Sequence, residues 1–326
     1  MNVRRRLIPA ALASALGLGA LTACSSDSAA TGNTDKFDVV ASFYPMAFLA
    51  EQIGGDHVNV SSLTEPGQEP HDLEISTKQR AQLEEADAAL FLKGLQPAVD
   101  EAVAQTGIKT KIDAAALTTL EDHGTGGHSH EGEEGHAEGG HAEEEGHAEE
   151  EEHARDPHVW LDPVKYAEVA EGVGKAFEKA DPDHAADYKK NTAALVEKLN
   201  GLNSDFDNGL KNTKTKVFFT NHAAFGYLAE RYGLTQEAIS GLDPESEPSG
   251  ARVRELQEEA KADGVTTVFY ETLVSDKTAK TLARDANLKT DVLDPLEGIT
   301  DRSRGDDYFQ VMEANLKALQ KALGAK

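Results

Sequence analysis

PDHAADYKKNTAALVEKLNGLNSDFDNGL, residues 182–210, is the stretch that decides the fold. Its large apolar side chains recur at three- and four-residue steps, at Tyr188, Leu195, Leu199, Leu202 and Phe206. This spacing predicts one long amphipathic helix with a single buried face. Such a helix is long enough to run from one lobe of a protein to another.

Short β-type runs alternate with helical segments on both sides of this tract. Before it, strands are predicted at 38–43, 58–63, 88–92 and 109–113. After it, strands are predicted at 217–220, 237–240, 265–270 and 290–293, and a closing helix at 308–323. Strands interleaved with helices indicate parallel sheets with both faces covered. The predicted fold is therefore α/β, with two similar lobes, each a mostly parallel sheet flanked by helices, joined by one long linker helix.

The N-terminus has the features of an export signal. Three arginines at 4–6 precede an apolar stretch at 7–21, and the small residues Thr22 and Ala23 stand directly before Cys24. This arrangement resembles the lipobox of bacterial lipoproteins, in which the cysteine thiol carries a lipid. We expect an extracytoplasmic protein anchored to the cell membrane through Cys24. The absence of a second cysteine excludes an intramolecular disulfide.

An acidic, histidine-rich segment interrupts the first half. The residues between Glu121 and Glu152 include no Lys or Arg, and Gly-His-Ala-Glu recurs from Gly135, Gly140 and Gly146. Such a composition cannot fill a core and predicts a disordered loop. Repeated imidazoles in so acidic a setting indicate weak, exchangeable metal binding. The histidines concerned are His123, His128, His130, His136, His141, His147 and His153. The formal net charge of −26 argues against nucleic acid as a partner and favours a cationic ligand.

These features divide the chain into successive parts. They are a signal peptide at 1–23, a lipid-anchored flexible tether at 24–35, an N-terminal lobe at 36–181 containing the His/Glu-rich loop 121–153, a linker helix at 182–213 and a C-terminal lobe at 214–326.

Three further histidines lie where open parallel sheets bind ligands, beyond the carboxyl ends of strands. His71 follows the second predicted strand, His158 stands where order resumes after the loop, and His222 directly follows a strand. A fourth such place, at 293–298, supplies carboxylates. Three neutral imidazoles and one carboxylate make a tetrahedral donor set that suits Zn²⁺ better than Mn²⁺, which prefers more oxygen ligands.

Several motifs together carry a resemblance to a known family. They are Ser42-Phe43-Tyr44-Pro45, Pro70-His71-Asp72, Asp156-Pro157-His158-Val159-Trp160-Leu161-Asp162-Pro163, Thr220-Asn221-His222 and Leu293-Asp294-Pro295-Leu296-Glu297. Over the whole mature chain the sequence resembles the zinc-uptake, ZnuA-like and AdcA-like branch of the solute-binding proteins of zinc and manganese ABC transporters.

The resemblance implies a monomeric binding protein that holds one metal ion between its lobes and works with an ABC permease and its ATPase. It implies His71 and His158 as ligands from the first lobe, and His222 and a carboxylate from the second. For the carboxylate we favour Glu297, because Pro-Leu-Glu-Gly resembles the zinc-specific lipoproteins. Asp294, a water molecule or Glu69 stay open as alternatives.

Other functions are compatible with parts of this pattern. A manganese-binding member of the family is one alternative. In the manganese-binding relatives, however, the position that corresponds to His222 looks like glutamate. A zinc hydrolase would need an open fourth position, and the sequence contains neither H-E-x-x-H nor G-x-S-x-G. A metal-sequestering or adhesive surface protein would need only the loop. We therefore predict a binding protein and not an enzyme.

Overall fold

The computed structural model describes residues 36–123 and 155–325. In the first lobe, β1 (Phe37–Ala41), β2 (Val58–Ser62), β3 (Ala88–Phe91) and β4 (Thr110–Asp113) form a parallel sheet in the order β2-β1-β3-β4. The connections contain α1 (Tyr44–Gly54), α2 (Thr77–Glu85) and α3 (Pro97–Gln105). Local sequence determines where α2 and α3 begin. Ser76 forms a capping box with Gln79 at the start of α2, and Pro97 occupies the first turn of α3.

The second lobe repeats this topology. Its sheet has the order β6-β5-β7-β8, again with all pairs parallel, and is built from β5 (Val217–Thr220), β6 (Thr235–Ala238), β7 (Thr267–Tyr270) and β8 (Lys289–Val292). The helices are α6 (Gly226–Arg231), α7 (Gly250–Ala262), α8 (Lys277–Ala286) and α9 (Tyr308–Leu323). The predicted pair of similar parallel-sheet lobes is therefore confirmed.

Along the sequence, two long helices follow the last strand of the first sheet and precede the first strand of the second sheet. They are α4 (Pro163–Ala180) and α5 (Ala185–Leu210), separated by a 3-10 turn at Pro182–His184. The predicted apolar face of α5 is the buried one, and α5 packs against α1 and α4 from the first lobe and α9 from the second. At the α4–α5 contact, a Cβ on Gly174 would lie 2.3 Å from Thr192 Oγ1, so this close approach requires glycine. One apolar cluster runs through both lobes along these helices.

The element boundaries differ from the predicted ones mainly after β5. Helix α6 begins at Gly226 and not at 223, because the backbone of Ala223 hydrogen-bonds to Gly241 O and its neighbours form a turn. Strand β6 lies two residues earlier than predicted, since it aligns Thr235 with Val217 of β5. Among the helices of 36–123 and 155–325, none has the length and apolar character to cross a bilayer.

Candidate metal centre

The four predicted ligands meet at one point between the sheets. His71 follows β2, His158 precedes the 3-10 turn Val159–Leu161, His222 follows β5, and Glu297 follows β8. One potential ligand atom from each lies within 4.8 Å of all the others. The side chains of His158, His222 and Glu297 are buried, and that of His71 is 12% exposed. His71 is thus the one member of the group that solvent reaches.

The distances from Glu297 to the three imidazoles match those between zinc ligands. Oε1 of Glu297 lies 3.3 Å from Nε2 of His71, 3.3 Å from Nε2 of His158 and 3.3 Å from Nε2 of His222. Nitrogen and oxygen ligands bound to tetrahedral zinc at their usual bond lengths are separated from one another by about 3.3–3.5 Å. The carboxylate oxygen therefore lies at this ligand-to-ligand spacing from each of the three imidazoles, and the four atoms all lie within 4.8 Å of one another.

Three polar atoms of this group lack hydrogen-bond partners although they are buried. They are Nε2 of His158, Nε2 of His222 and Oε2 of Glu297. Buried polar atoms are nearly always satisfied, because leaving one unpaired costs about 1–3 kcal/mol. A cation bound among the imidazoles would use the two free nitrogen lone pairs. The donor set therefore fits a metal ion.

Carboxylates fix which imidazole nitrogen faces the centre. Nδ1 of His158 lies 2.8 Å from Oδ1 of Asp156, and Nδ1 of His222 lies 2.8 Å from Oε1 of Glu271. Asn221 Nδ2 donates to the same oxygen of Glu271 at 3.0 Å. An Nδ1–H that donates to a carboxylate leaves the Nε2 lone pair for a metal and raises its basicity.

Glu271 has a role at this site that the sequence alone did not indicate. It directly follows β7 and is 4% exposed. The rule that selected His222, a polar residue after a strand of the second sheet, would also have selected Glu271. Its role as the hydrogen-bond acceptor of His222 depends on the pairing of β5 with β7, which the sequence does not give.

The open alternatives for the carboxylate have other partners in the structure. Oδ1 of Asp294 accepts from Leu296 N at 2.9 Å, and Thr272 Oγ1 donates to its Oδ2 at 3.2 Å. These bonds hold a turn in which Leu296 adopts a φ of 60°, an uncommon conformation for a residue other than glycine. Oε1 of Glu69 accepts from His71 N at 3.0 Å. Of these carboxylates, only Glu297 lies in the cluster.

Trp160 ties the turn that carries Glu297 to the first lobe. Its Nε1 donates to Pro295 O at 2.7 Å, and Tyr308 Oη donates to Trp160 O at 2.6 Å. The indole is fully buried and makes an edge contact with Phe43, with ring centroids 5.0 Å apart. The segment 156–163 therefore carries His158 and also holds the turn of the opposite lobe that carries Glu297.

In the metal-free cluster, neighbouring carboxylates favour the protonated form of two imidazoles, those of His158 and His222. Burial alone would lower the pKa of His158 and of His222, but His158 lies between Asp156 and Glu297, and His222 between Glu271 and Glu297. The carboxylates outweigh burial, so both imidazole pKa values are raised above the usual value. Burial would raise the pKa of Glu297, but His222 and the other imidazoles hold it well below its usual range. Protons and a metal ion therefore compete for the same nitrogens.

An ion pair also joins the two lobes. Arg231 of α6 donates from Nε at 2.8 Å and from Nη2 at 2.6 Å to Oδ2 of Asp162, which is 2% exposed. Asp162 also caps α4 by accepting from Val164 N at 2.9 Å. This ion pair joins α6 of the second lobe to the start of α4.

We predict that Arg231→Ala destabilises the protein by about 1–3 kcal/mol, because the buried Asp162 carboxylate loses its cation while the partly exposed guanidinium limits the loss. Urea unfolding followed by the fluorescence of Trp160 measures this. The control is Arg254→Ala on the exposed face of α7, expected to change the free energy of unfolding by less than about 0.5 kcal/mol. Equal effects of the two variants would contradict the prediction.

The other predicted site residues fall into two groups. Cys24 with the signal and tether, and the loop histidines His128, His130, His136, His141, His147 and His153, lie outside the described residues. His123 is described and does not belong to the metal cluster. Its Nδ1 lies 2.7 Å from Oδ2 of Asp156, and its Nε2 lies 3.0 Å from Oε2 of Glu230.

Comparison with known proteins identifies the family to which this architecture belongs. Residues 39–322 match the family described as zinc-uptake complex component A, periplasmic, or ZnuA. The chain belongs to the ZnuA family. This confirms the resemblance inferred from its motifs. The family description is that of a periplasmic zinc-uptake component and not of an enzyme, as the sequence predicted.

Individual relatives of this ZnuA-family chain are similar over nearly all of its length. It is 38% identical over 307 residues to the zinc-binding lipoprotein AdcA of Streptococcus pneumoniae serotype 4, covering 92% of this chain and 58% of AdcA. It is 35% identical over 329 residues to the high-affinity zinc uptake system protein ZnuA of Bacillus subtilis strain 168, covering 95% of this chain and 98% of that protein. The chain thus spans little more than half of AdcA and nearly all of the Bacillus protein.

Solved structures show the same fold. The crystal structure of the Zn(II)-bound ZnuA-like domain of Streptococcus pneumoniae AdcA superposes with a TM-score of 0.70 at 34% identity, covering 88% of this ZnuA-family chain and 99% of that domain. The two parallel-sheet lobes described above are therefore those of a ZnuA-type binding protein.

Proposed function

We propose that this protein captures Zn²⁺ in the cleft between its lobes and delivers it to the permease of an ABC importer, whose ATPase drives uptake. The observation that carries the proposal is the position of Glu297 Oε1, 3.3 Å from Nε2 of each of His71, His158 and His222. The names of the relatives, a zinc-binding lipoprotein and a zinc uptake system protein, support it. We further propose a monomer anchored to the outer face of the cell membrane through lipidated Cys24.

The donor set favours zinc over manganese. Three imidazole nitrogens and one carboxylate oxygen complete a tetrahedral shell, whereas manganese prefers octahedral sites with more oxygen ligands. The same closed shell disfavours a zinc hydrolase, because four protein ligands leave no position for an activated water. The buried position of three of the four ligands also fits storage of an ion during transport.

The test combines metal content with growth. Protein purified without added metal should contain about one equivalent of zinc, and His222→Ala should contain little. A strain that lacks the gene and any redundant system should fail to grow under zinc limitation, and the wild-type gene should restore growth. Manganese as the bound metal, or normal growth of the deletion strain under zinc limitation, would overturn the proposal.

We also propose that the histidines of 124–153 bind zinc weakly and raise its local concentration near the cleft. Backbone N of Asp156 hydrogen-bonds to Glu121 O at 3.0 Å, so the two chain ends that flank this segment are adjacent and a short linker can join them. His123 and Asp156 are kept, because they contact each other.

Replacement of residues 124–153 by a short Gly-Ser linker is expected to remove the weak zinc sites and to leave one tight site with unchanged affinity. Flexible imidazoles lose chain entropy when they close around an ion, so their sites are weaker than the preformed cleft. Zinc titration calorimetry measures both classes of site. Loss of the tight site in this variant would show that the assignment of strong and weak sites is wrong.

A further inference from the structure

His123 occupies a fitted position against the second lobe. It contacts Gly226 so closely that a Cβ on that glycine would lie 2.5 Å from Cγ of the imidazole. The ring of Tyr227 meets the imidazole edge-on, with centroids 4.3 Å apart and an interplanar angle of 83°. The His123 side chain is 16% exposed. Glycine at the start of α6 therefore makes room for this imidazole.

A chain of hydrogen bonds leads from His123 to the metal centre. Oδ2 of Asp156 lies 2.7 Å from Nδ1 of His123, and Oδ1 of the same carboxylate lies 2.8 Å from Nδ1 of His158. Asp156 is 1% exposed, so each of these bonds is shielded from competing water. The orientation of the carboxylate that holds His158 is thus set from its other side by His123.

Both nitrogens of His123 face carboxylates. Nδ1 faces Asp156, and Nε2 lies 3.0 Å from Oε2 of Glu230 on α6. Burial would lower the pKa of His123, but the bonds to Asp156 and Glu230 outweigh burial and raise it. An imidazole that donates from both nitrogens has no lone pair for a metal. In this position His123 differs from a histidine that binds metal weakly in a loop.

We propose that His123 is a positioning residue of the metal centre, which orients His158 through Asp156 and so strengthens the binding of zinc. The inference rests on the proposed zinc function. Because Asp156 belongs to the first lobe and Glu230 to the second, His123 also connects the lobes beside the site. Residues that hydrogen-bond to a metal ligand typically contribute 10- to 100-fold to metal affinity. Asp156 is such a residue, and His123 acts one hydrogen bond further from the metal than Asp156.

Two substitutions separate the two contacts of His123. The amide nitrogen of asparagine can take the place of Nδ1, and that of glutamine can take the place of Nε2. His123→Asn therefore keeps a donor for Asp156, whereas His123→Gln keeps a donor for Glu230. His123→Ala removes both. The same exchange in the acidic segment, His136→Asn, serves as the matched control.

The measurements are the tight-site zinc dissociation constant, by chelator competition, and the visible spectrum of the Co²⁺-loaded protein, which reports the geometry of the ligands. We expect His123→Ala and His123→Gln to weaken zinc binding by about tenfold, the lower end of the range for outer partners, and to change the Co²⁺ bands. His123→Asn and His136→Asn should retain the wild-type constant and spectrum. Thermal unfolding of the metal-free variants checks that each is folded.

The outcomes are distinct. Wild-type affinity and spectrum in all three His123 variants would overturn the role of His123 and leave the zinc function intact. Equal losses in His123→Asn and His123→Gln would also overturn it, because the Asp156 contact would then not matter. If His123→Ala does not fold, the comparison of asparagine with glutamine decides. A wild-type protein without a tight zinc site would overturn the proposed function as well.

Discussion

Glu297→Gln is expected to weaken tight zinc binding by more than about 100-fold, beyond the range typical of residues outside the ligand shell. In the proposed site Glu297 supplies the single anionic ligand, and its Oε1 has the same 3.3 Å distance to Nε2 of all three imidazoles. Glutamine preserves the shape of the side chain but removes the charge that offsets the dication in a buried site. The loss is therefore electrostatic and not a consequence of an altered cavity.

Chelator competition measures the zinc constant, and Glu69→Gln is the matched control. Glu69 lies beside His71 and accepts from its backbone, yet it is outside the cluster, so its amide variant is expected to lose less than about tenfold. A larger loss in Glu69→Gln than in Glu297→Gln would assign the carboxylate ligand to the first lobe. Such a result would revive the alternative that the sequence left open.

The sequence predicts much of this site because of how parallel sheets are built. Strands of one parallel sheet all end at the same edge, so residues that follow strands converge without any knowledge of distant contacts. His222 and the carboxylates of 293–298 were found in this way, after β5 and β8. Within that segment the family resemblance favoured Glu297, and the structure adds that Asp294 accepts a hydrogen bond inside the turn in which Leu296 has a positive φ.

Contacts between distant parts of the chain could not be predicted. The bond between His222 and Glu271 joins residues 49 apart, and that between His123 and Glu230 joins residues 107 apart. Composition placed His123 with the loop histidines, since it lies beside a run of acids and glycines. The contacts of its imidazole with Gly226, Asp156 and Glu230 show that this histidine has a fitted place in the fold.

Acidification is expected to weaken zinc binding by roughly 1,000-fold or more between about pH 7.5 and 5.5, since each imidazole that must lose a proton contributes up to tenfold per pH unit below its pKa. Because the pKa values of His158 and His222 are raised in the metal-free protein, competition begins above the ordinary histidine value. Chelator competition in a series of buffers measures the slope. A constant that does not change over this range would contradict the assignment of imidazole ligands.

The stability of the metal-free protein should rise on acidification over part of this range, whereas the affinity for zinc falls. The raised pKa values of His158 and His222 contribute stability that is fully present below about pH 6.5 and is lost as pH rises through the folded-state values. The lowered pKa of Glu297 contributes stability that is present above about pH 4.5 and is lost as pH falls through its folded-state value. Between these limits both contributions act together.

Zinc therefore stabilises the protein most where the metal-free cluster is weakest. At a fixed free zinc concentration about 1,000 times the dissociation constant near pH 8, binding contributes about 4 kcal/mol, and this contribution declines as acid raises the constant. Thermal unfolding with and without zinc, followed by Trp160, whose indole lies 5.2 Å from the His158 ring, measures the difference. A zinc-induced shift in Tm that grows toward pH 5 would contradict a site in which protons and zinc compete for the same nitrogens.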